Sequence, residues 1–218
     1  MKFDPYEYIG VIIPGSVLVV AVSLLFPDLA PLIEKSLSLG DLGLILVLSF
    51  VAGHLLQAGG NIYERGVWMP AGGMPTSWAA KTKTQLLNGD QLERLDRKLS
   101  EDFGTGRAAL SGGRGPMREI FVCIRQHGNI DRIEKFNRNY GLMRGIAVAF
   151  LVAAILTTAM DFSQWRIVLL LLAACGVATY RMMRFGTHYA REIFAEYLNL
   201  KMKKADGDEA TPAQSAAT

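Results

Sequence analysis

Apolar and polar positions separate along this 218-residue chain into long blocks rather than short alternations. Four apolar runs, Ile9 to Phe26, Leu42 to Ala58, Leu142 to Met160 and Ile167 to Tyr180, are each about as long as a helix crossing a bilayer. Lipid offers the backbone no hydrogen-bond partners, so such runs are stable there as helices that pair their own groups. The pattern predicts an all-α protein, a four-transmembrane-helix bundle with a small helical cytoplasmic domain between helices 2 and 3. The expected order is a hairpin over 1–60 (spans 9–26 and 42–58), the helical domain over 61–140, and a second hairpin over 141–184 (spans 142–160 and 167–180). An amphipathic helix over 185–204 and a disordered tail over 205–218 complete it.

Local signals refine the elements. Asp4-Pro5-Tyr6-Glu7 reads as a capping box with proline at the first helical position, and Pro14-Gly15 predicts a kink inside the first span. Pro27, Asp28 and Pro31 close that span. In the polar domain a short helix is expected over Trp78 to Leu87, stopped at Asn88-Gly89. A second capping box at Asp90-Gln91-Leu92-Glu93 opens a helix whose Leu92, Leu95 and Leu99 share one face. Gly104 to Gly115 reads as a coupling hinge built on Gly104, Gly106, Gly112 and Gly113. Beyond it Met117, Ile120, Phe121 and Ile124 form an apolar face, and Gly128-Asn129 separates that helix from the one entering the third span. Arg144 lies one turn inside that span, where its stem can snorkel to the interface. Trp68 and Trp78 bracket a Gly/Pro-rich turn and are expected at the membrane surface.

Charge sets the expected orientation. Thirteen lysines and arginines lie between Gly59 and Gly141, and six more follow the fourth span. By the positive-inside rule the middle domain and both termini are then cytoplasmic. The mean hydropathy of +0.23 is high for a chain that is one-fifth charged, because the charge is segregated from the spans. A net charge of +3 gives little reason to expect nucleic-acid binding. Asp4 and Glu7 beside Lys2, with no small-residue cleavage site, predict a retained first helix rather than a cleaved signal peptide.

Candidate chemistry is sparse. His54 and Gln57 put polar groups near the end of the second span, and with Pro14 they are the candidates for a pore or gating role. The reading favoured over that role for His54 is interhelical hydrogen bonding near the interface, since no acidic partner is visible in a neighbouring span. Gly141, Gly145, Ala149 and Ala153 recur every fourth position, as do Ser49 and Gly53, and such faces let helices approach closely within one copy or between copies. Cys123 and His127 share a helical face, but two ligands fall short of a zinc site, and His188 stands alone. No nucleotide loop in its strand-turn-helix context, paired intramembrane carboxylates or nucleophile motif is present. The expectation is therefore no catalytic residue, no metal and no cofactor.

Phe3-Asp4-Pro5-Tyr6-Glu7-Tyr8, Pro14-Gly15 and Gly53-His54-Leu55-Leu56-Gln57 resemble segments of small uncharacterised bacterial multi-span membrane proteins. Some proteins of that plan are sensors or effectors of antiphage defence. The resemblance implies an inner-membrane protein and a non-catalytic sensor or effector. Its cytoplasmic helices would answer a ligand or protein partner, with an oligomeric pore as one output. Two other classes stay open: a scaffold recruiting a cytoplasmic partner, and an enzyme on lipid-linked substrates with Arg65, Arg107 or Arg114 as phosphate ligands.

Overall fold

The computed structural model describes residues 5–26, 29, 38–81, 84–111 and 114–200. Six α-helices account for most of them: α1 (Pro5–Leu25), α2 (Leu39–Trp68), α3 (Gly89–Phe103), α4 (Arg114–His127), α5 (Asp131–Met160) and α6 (Trp165–Asn199). No strand occurs among the described residues. Asp4, Pro27, Asp28, Pro31, Gly112, Gly113 and the tail from 201 onward lie outside them, and with them the first cap and the expected disorder.

Three helices, α2, α5 and the one through α6, are long and apolar enough to cross a membrane, and Gly10–Leu25 of α1 is a shorter apolar helix. Their side chains face mostly outward: Leu55 is 68% exposed and Leu170 72%. In water that surface would drive aggregation, whereas lipid solvates it without penalty. These are the properties of a membrane protein. In the apolar window of α5, 39% of residues are buried, against 17% in α2 and in the α6 segment, so α5 is the central helix. It packs against α1, α2 and α6.

Glycines decide how closely these helices meet. A Cβ on Gly15 would lie 1.8 Å from the Ser49 carbonyl oxygen, and one on Gly53 would lie 2.1 Å from that of Val11. The α1–α2 crossing is thus backbone against backbone. On the other side of α1 the Pro14 ring fills a notch at Gly145, where a Cβ would meet its Cγ at 2.8 Å. Ser49, Gly53, Gly145, Ala149 and Ala153 are all buried inside one copy. Gly141 has open space where a Cβ would go.

At one end α5 and α6 run on without a break into a polar lobe built with α3 and α4. The positions 60, 140 and 184 therefore fall inside helices, and the amphipathic segment from 185 is the second half of α6. Leu95, Leu99, Ile120, Ile124, Ile133, Ile193 and Phe194 meet in the lobe core, nearly all fully buried. Each such side chain contributes about 1.5–3 kcal/mol.

Several local expectations shift. Instead of a helix over Trp78 to Leu87, a short 3₁₀ turn spans Pro75–Ala80. Gly72 and Gly73 adopt positive φ, and the Trp78 indole donates to the Gly73 carbonyl at 2.9 Å, fixing the tight turn. Helix α3 starts two residues before the expected box: Asn88 accepts from the Gln91 amide at 2.8 Å and Gln91 returns the bond. Gly104 is the left-handed cap of α3 (φ 64°). The segment after it is fastened, with the Arg107 amide on the Asp96 carboxylate at 2.6 Å and Leu110 buried in the lobe.

The crossings make an asymmetric expectation within the small-residue ladder. Gly145→Ala and Gly53→Ala should each lower stability in detergent by about 1–3 kcal/mol through overpacking. Gly141→Ala should be neutral or gain up to about 1 kcal/mol of helix propensity. Thermal unfolding of the three variants is the check, and equal losses would contradict the packing.

Candidate functional site

A cluster of charged and amide side chains lies where the bundle meets the lobe; the buried hydroxyls of Ser23, Ser49 and Thr157 are not part of it. Gln57, Asn61, Glu64 and Trp68 recur at helical spacing on α2 and face Tyr140 and Arg144, one turn apart on α5. Gly60 makes room for the arginine: a Cβ there would sit 3.0 Å from its Nε and 3.3 Å from its Cδ. Arg144 forms an ion pair with Glu64 and donates to the Asn61 side-chain oxygen at 3.2 Å and to that of Gln57 at 2.9 Å. The Arg144 and Glu64 side chains are only 17% and 18% exposed. The arginine is not snorkelling toward water; its charge is neutralised in place. Its Nε is buried and unpaired, at a typical cost of about 1–3 kcal/mol.

Gln57 extends the cluster to α1. Pro14 has no amide hydrogen, so the carbonyl four residues earlier, that of Gly10, loses its helical donor. The Gln57 amide points at this oxygen, at 3.5 Å, the long limit of a hydrogen bond. A relay thus runs from the proline-freed carbonyl through Gln57 and Arg144 to Glu64.

The relay ends in an aromatic joint. The Trp68 indole donates to the Tyr140 hydroxyl at 2.9 Å, and a Cβ on Gly186 of α6 would lie 3.0 Å from both rings. Trp68 is 2% exposed and sits edge-to-face with Trp78, so it is a buried joint of three helices rather than a membrane-surface anchor. One turn away, the Tyr63 hydroxyl meets the Thr179 hydroxyl and, at 3.5 Å, the Cys175 sulfur, tying α2 to α6.

The sequence candidates are divided by this geometry. Gln57 and Pro14 belong to the relay. His54 does not: it is exposed on the outer face of α2, its ring edge-to-face with Phe50 at 4.6 Å. Ser49, Gly53, Gly145, Ala149 and Ala153 form the packing around α1 and α5, while Gly104 and Gly106 lie in the lobe at the end of α3. The Arg107 guanidinium is spent on the Lys81 carbonyl at 3.1 Å. Glu64 and Asn61 escaped the reading because they sit past the apolar run, yet their spacing from Gln57 was the available signal.

The His127 ring contacts the Cys123 carbonyl at 3.3 Å, and no group of three or more ligating side chains exists among the described residues. Burial, then the carboxylates of Asp102 and Glu119, pushes the Cys123 thiol above its usual range. A metal ligand or nucleophile needs the opposite shift.

No protein-family model, curated protein or solved structure matches this chain. The functional reading rests on the geometry.

A double-mutant cycle tests the cluster. Glu64→Leu or Arg144→Met alone leaves one uncompensated charge and should cost about 3–5 kcal/mol. The double variant should lose less than the sum, by a coupling of at least about 1 kcal/mol. Additive losses in chemical unfolding would show that the pair contributes nothing as a unit. The rate of Cys123 alkylation, followed by mass spectrometry, should still be climbing with pH beyond about 8.5, where a thiol of ordinary pKa levels off.

Proposed function

We propose that this chain is a four-span, non-catalytic sensor or effector of a bacterial inner membrane, in which events on the helical lobe change the packing of the bundle. The observation that carries the reading is the continuity of α5 and α6, 30 and 35 residues long, from the lobe core into the bundle. A rotation or shift of the lobe is transmitted along two rigid rods, and the Arg144–Glu64 relay stands where they leave the bundle. An open cleft of about 650 Å³ on the lobe, lined by Phe103, Arg118, Glu119, Val122 and Cys123, supports a ligand- or partner-receiving role.

Charge supports the lobe and both termini as cytoplasmic: Arg65, Arg138, Arg144, Arg181 and Arg184 lie toward the lobe end, while Arg166, Asp41 and Asp161 stand at the helix ends opposite it. α1 serves as the fourth span in this reading, its short apolar stretch shielded along α2 and α5. Ala147, Ala149 and Ala153 are fully buried, so a conducting path would form between copies rather than through one.

Spin labels at Ile62 and Val177, both exposed, report the α2–α6 distance in nanodiscs. Loosening the lobe with Ile124→Ala should broaden that distribution, and it should do so less in the Glu64→Leu/Arg144→Met background. An unchanged distribution would shift the reading to a scaffold whose lobe recruits partners independently. In intact cells, a cysteine at Phe162 should label from outside and one at Met69 should not.

A further inference from the structure

We infer that a second site, distinct from the relay, holds the phosphate headgroup of one anionic phospholipid. It is a cleft of about 250 Å³ between α5 and α6, lined by Phe136, Tyr180, Arg181, Arg184, Phe185 and His188. That volume is below the range for drug-sized ligands and suits a headgroup. The inference rests on the placement of the apolar helices in a bilayer but not on the signalling role.

Position comes first. The apolar run of α6 ends at Tyr180, so Arg181 is the first charge at the level where lipid phosphates lie. Arg184 and His188 follow on the same face at three and seven residues' spacing. Charge comes second. Arg144 is neutralised by Glu64, but no carboxylate lies within 4 Å of Arg181 or Arg184 among the described residues. Glu192, one turn beyond His188, is engaged by Arg132 at 2.9 Å. Two uncompensated guanidinium groups and an imidazole therefore face one small concavity.

Preorganisation is the third element. The Arg181 guanidinium lies over the Phe185 ring at 5.5 Å, and His188 stacks on Phe136 with centroids 5.5 Å apart. Rings that hold the cations reduce the ordering cost of binding, and the planar fork of arginine matches phosphate oxygens. The lipid, rather than a free phosphate, is favoured by the surface leading into the cleft. Leu170, Val177 and Tyr180 are 72%, 64% and 61% exposed, and they form an apolar track along α6 that an acyl chain can follow.

Native mass spectrometry of protein released from nanodiscs of equal phosphatidylglycerol and phosphatidylcholine tests this. The full chain should retain one phosphatidylglycerol in preference to phosphatidylcholine. Arg181→Gln/Arg184→Gln should weaken retention about 30-fold, from the usual contribution of two juxtamembrane cations. Arg166→Gln, at the other end, should leave it unchanged, and Arg181→Lys/Arg184→Lys should keep more than the glutamine pair. Undiminished retention by the glutamine pair, or equal retention of phosphatidylcholine, would overturn the inference. So would displacement of the lipid by equimolar inorganic phosphate or glycerol phosphate, which would mark a plain anion site. Protein that incorporates into the discs without lipid preference refutes this inference alone, whereas protein that never incorporates refutes the membrane placement beneath it as well.

Discussion

A charged arginine held one turn inside an apolar helix is the constraint around which the junction is built. Arg144 cannot be left bare in low dielectric, so the structure surrounds it with a carboxylate and two side-chain carbonyls from α2. That requirement fixes the register of α2 against α5, since Gln57, Asn61 and Glu64 must all present to the same guanidinium. It also accounts for Gly60, whose missing side chain is the space that the arginine stem occupies. A hydrophobic replacement of the pair would pack with less desolvation, but it would not define the register as sharply.

α1 is bound by a different logic. Its contact with α2 is glycine on backbone at Gly15 and Gly53, and its contact with α5 is the Pro14 ring in the Gly145 notch. Proline usually weakens a helix by removing one hydrogen bond. Here its ring supplies the shape that keys α1 into α5, and the freed Gly10 carbonyl finds the Gln57 amide. Pro14 and the polar residue on the next helix, which look unrelated in the sequence, answer one another.

How much of this was legible varies by physical cause. The long apolar helices were readable because long uninterrupted apolar runs have few other solutions, and the leucine stripe of α3 because its period is fixed by the helix. Its cap falls two residues before the expected one because Asn88-Gln91 satisfies the same rule as Asp90-Glu93 and leaves Leu92, Leu95 and Leu99 on the same buried face. Gly104 and Gly106 read as a hinge from composition alone, whereas the Asp96 carboxylate and the burial of Leu110 tie that segment down. Tryptophans suggest an interface by habit, and only the tertiary pairing of Trp68 with Tyr140 and Gly186 makes it a buried joint. The relay was hidden for the same reason: its members come from three helices distant in sequence, and no local period links Gly10, Glu64 and Arg144.

If the two halves influence each other as proposed, the joint and the relay make the junction, rather than the lipid-facing exterior, the place for it. Dispersion between apolar side chains and lipid changes little when a helix slides, so the exterior is indifferent to small displacements. The relay is not. A shift of α5 that withdraws Arg144 from Gln57 leaves the Gln57 side-chain oxygen in apolar surroundings without that donor. A displacement of α1 would conversely disturb the arginine and, one turn on, the Tyr140–Trp68 bond against which α6 packs. Coupling of this kind is reciprocal by thermodynamic necessity. In the proposed reading, whatever biases the lobe end of α5 and α6 also biases α1, and the same free energy acts in the other direction.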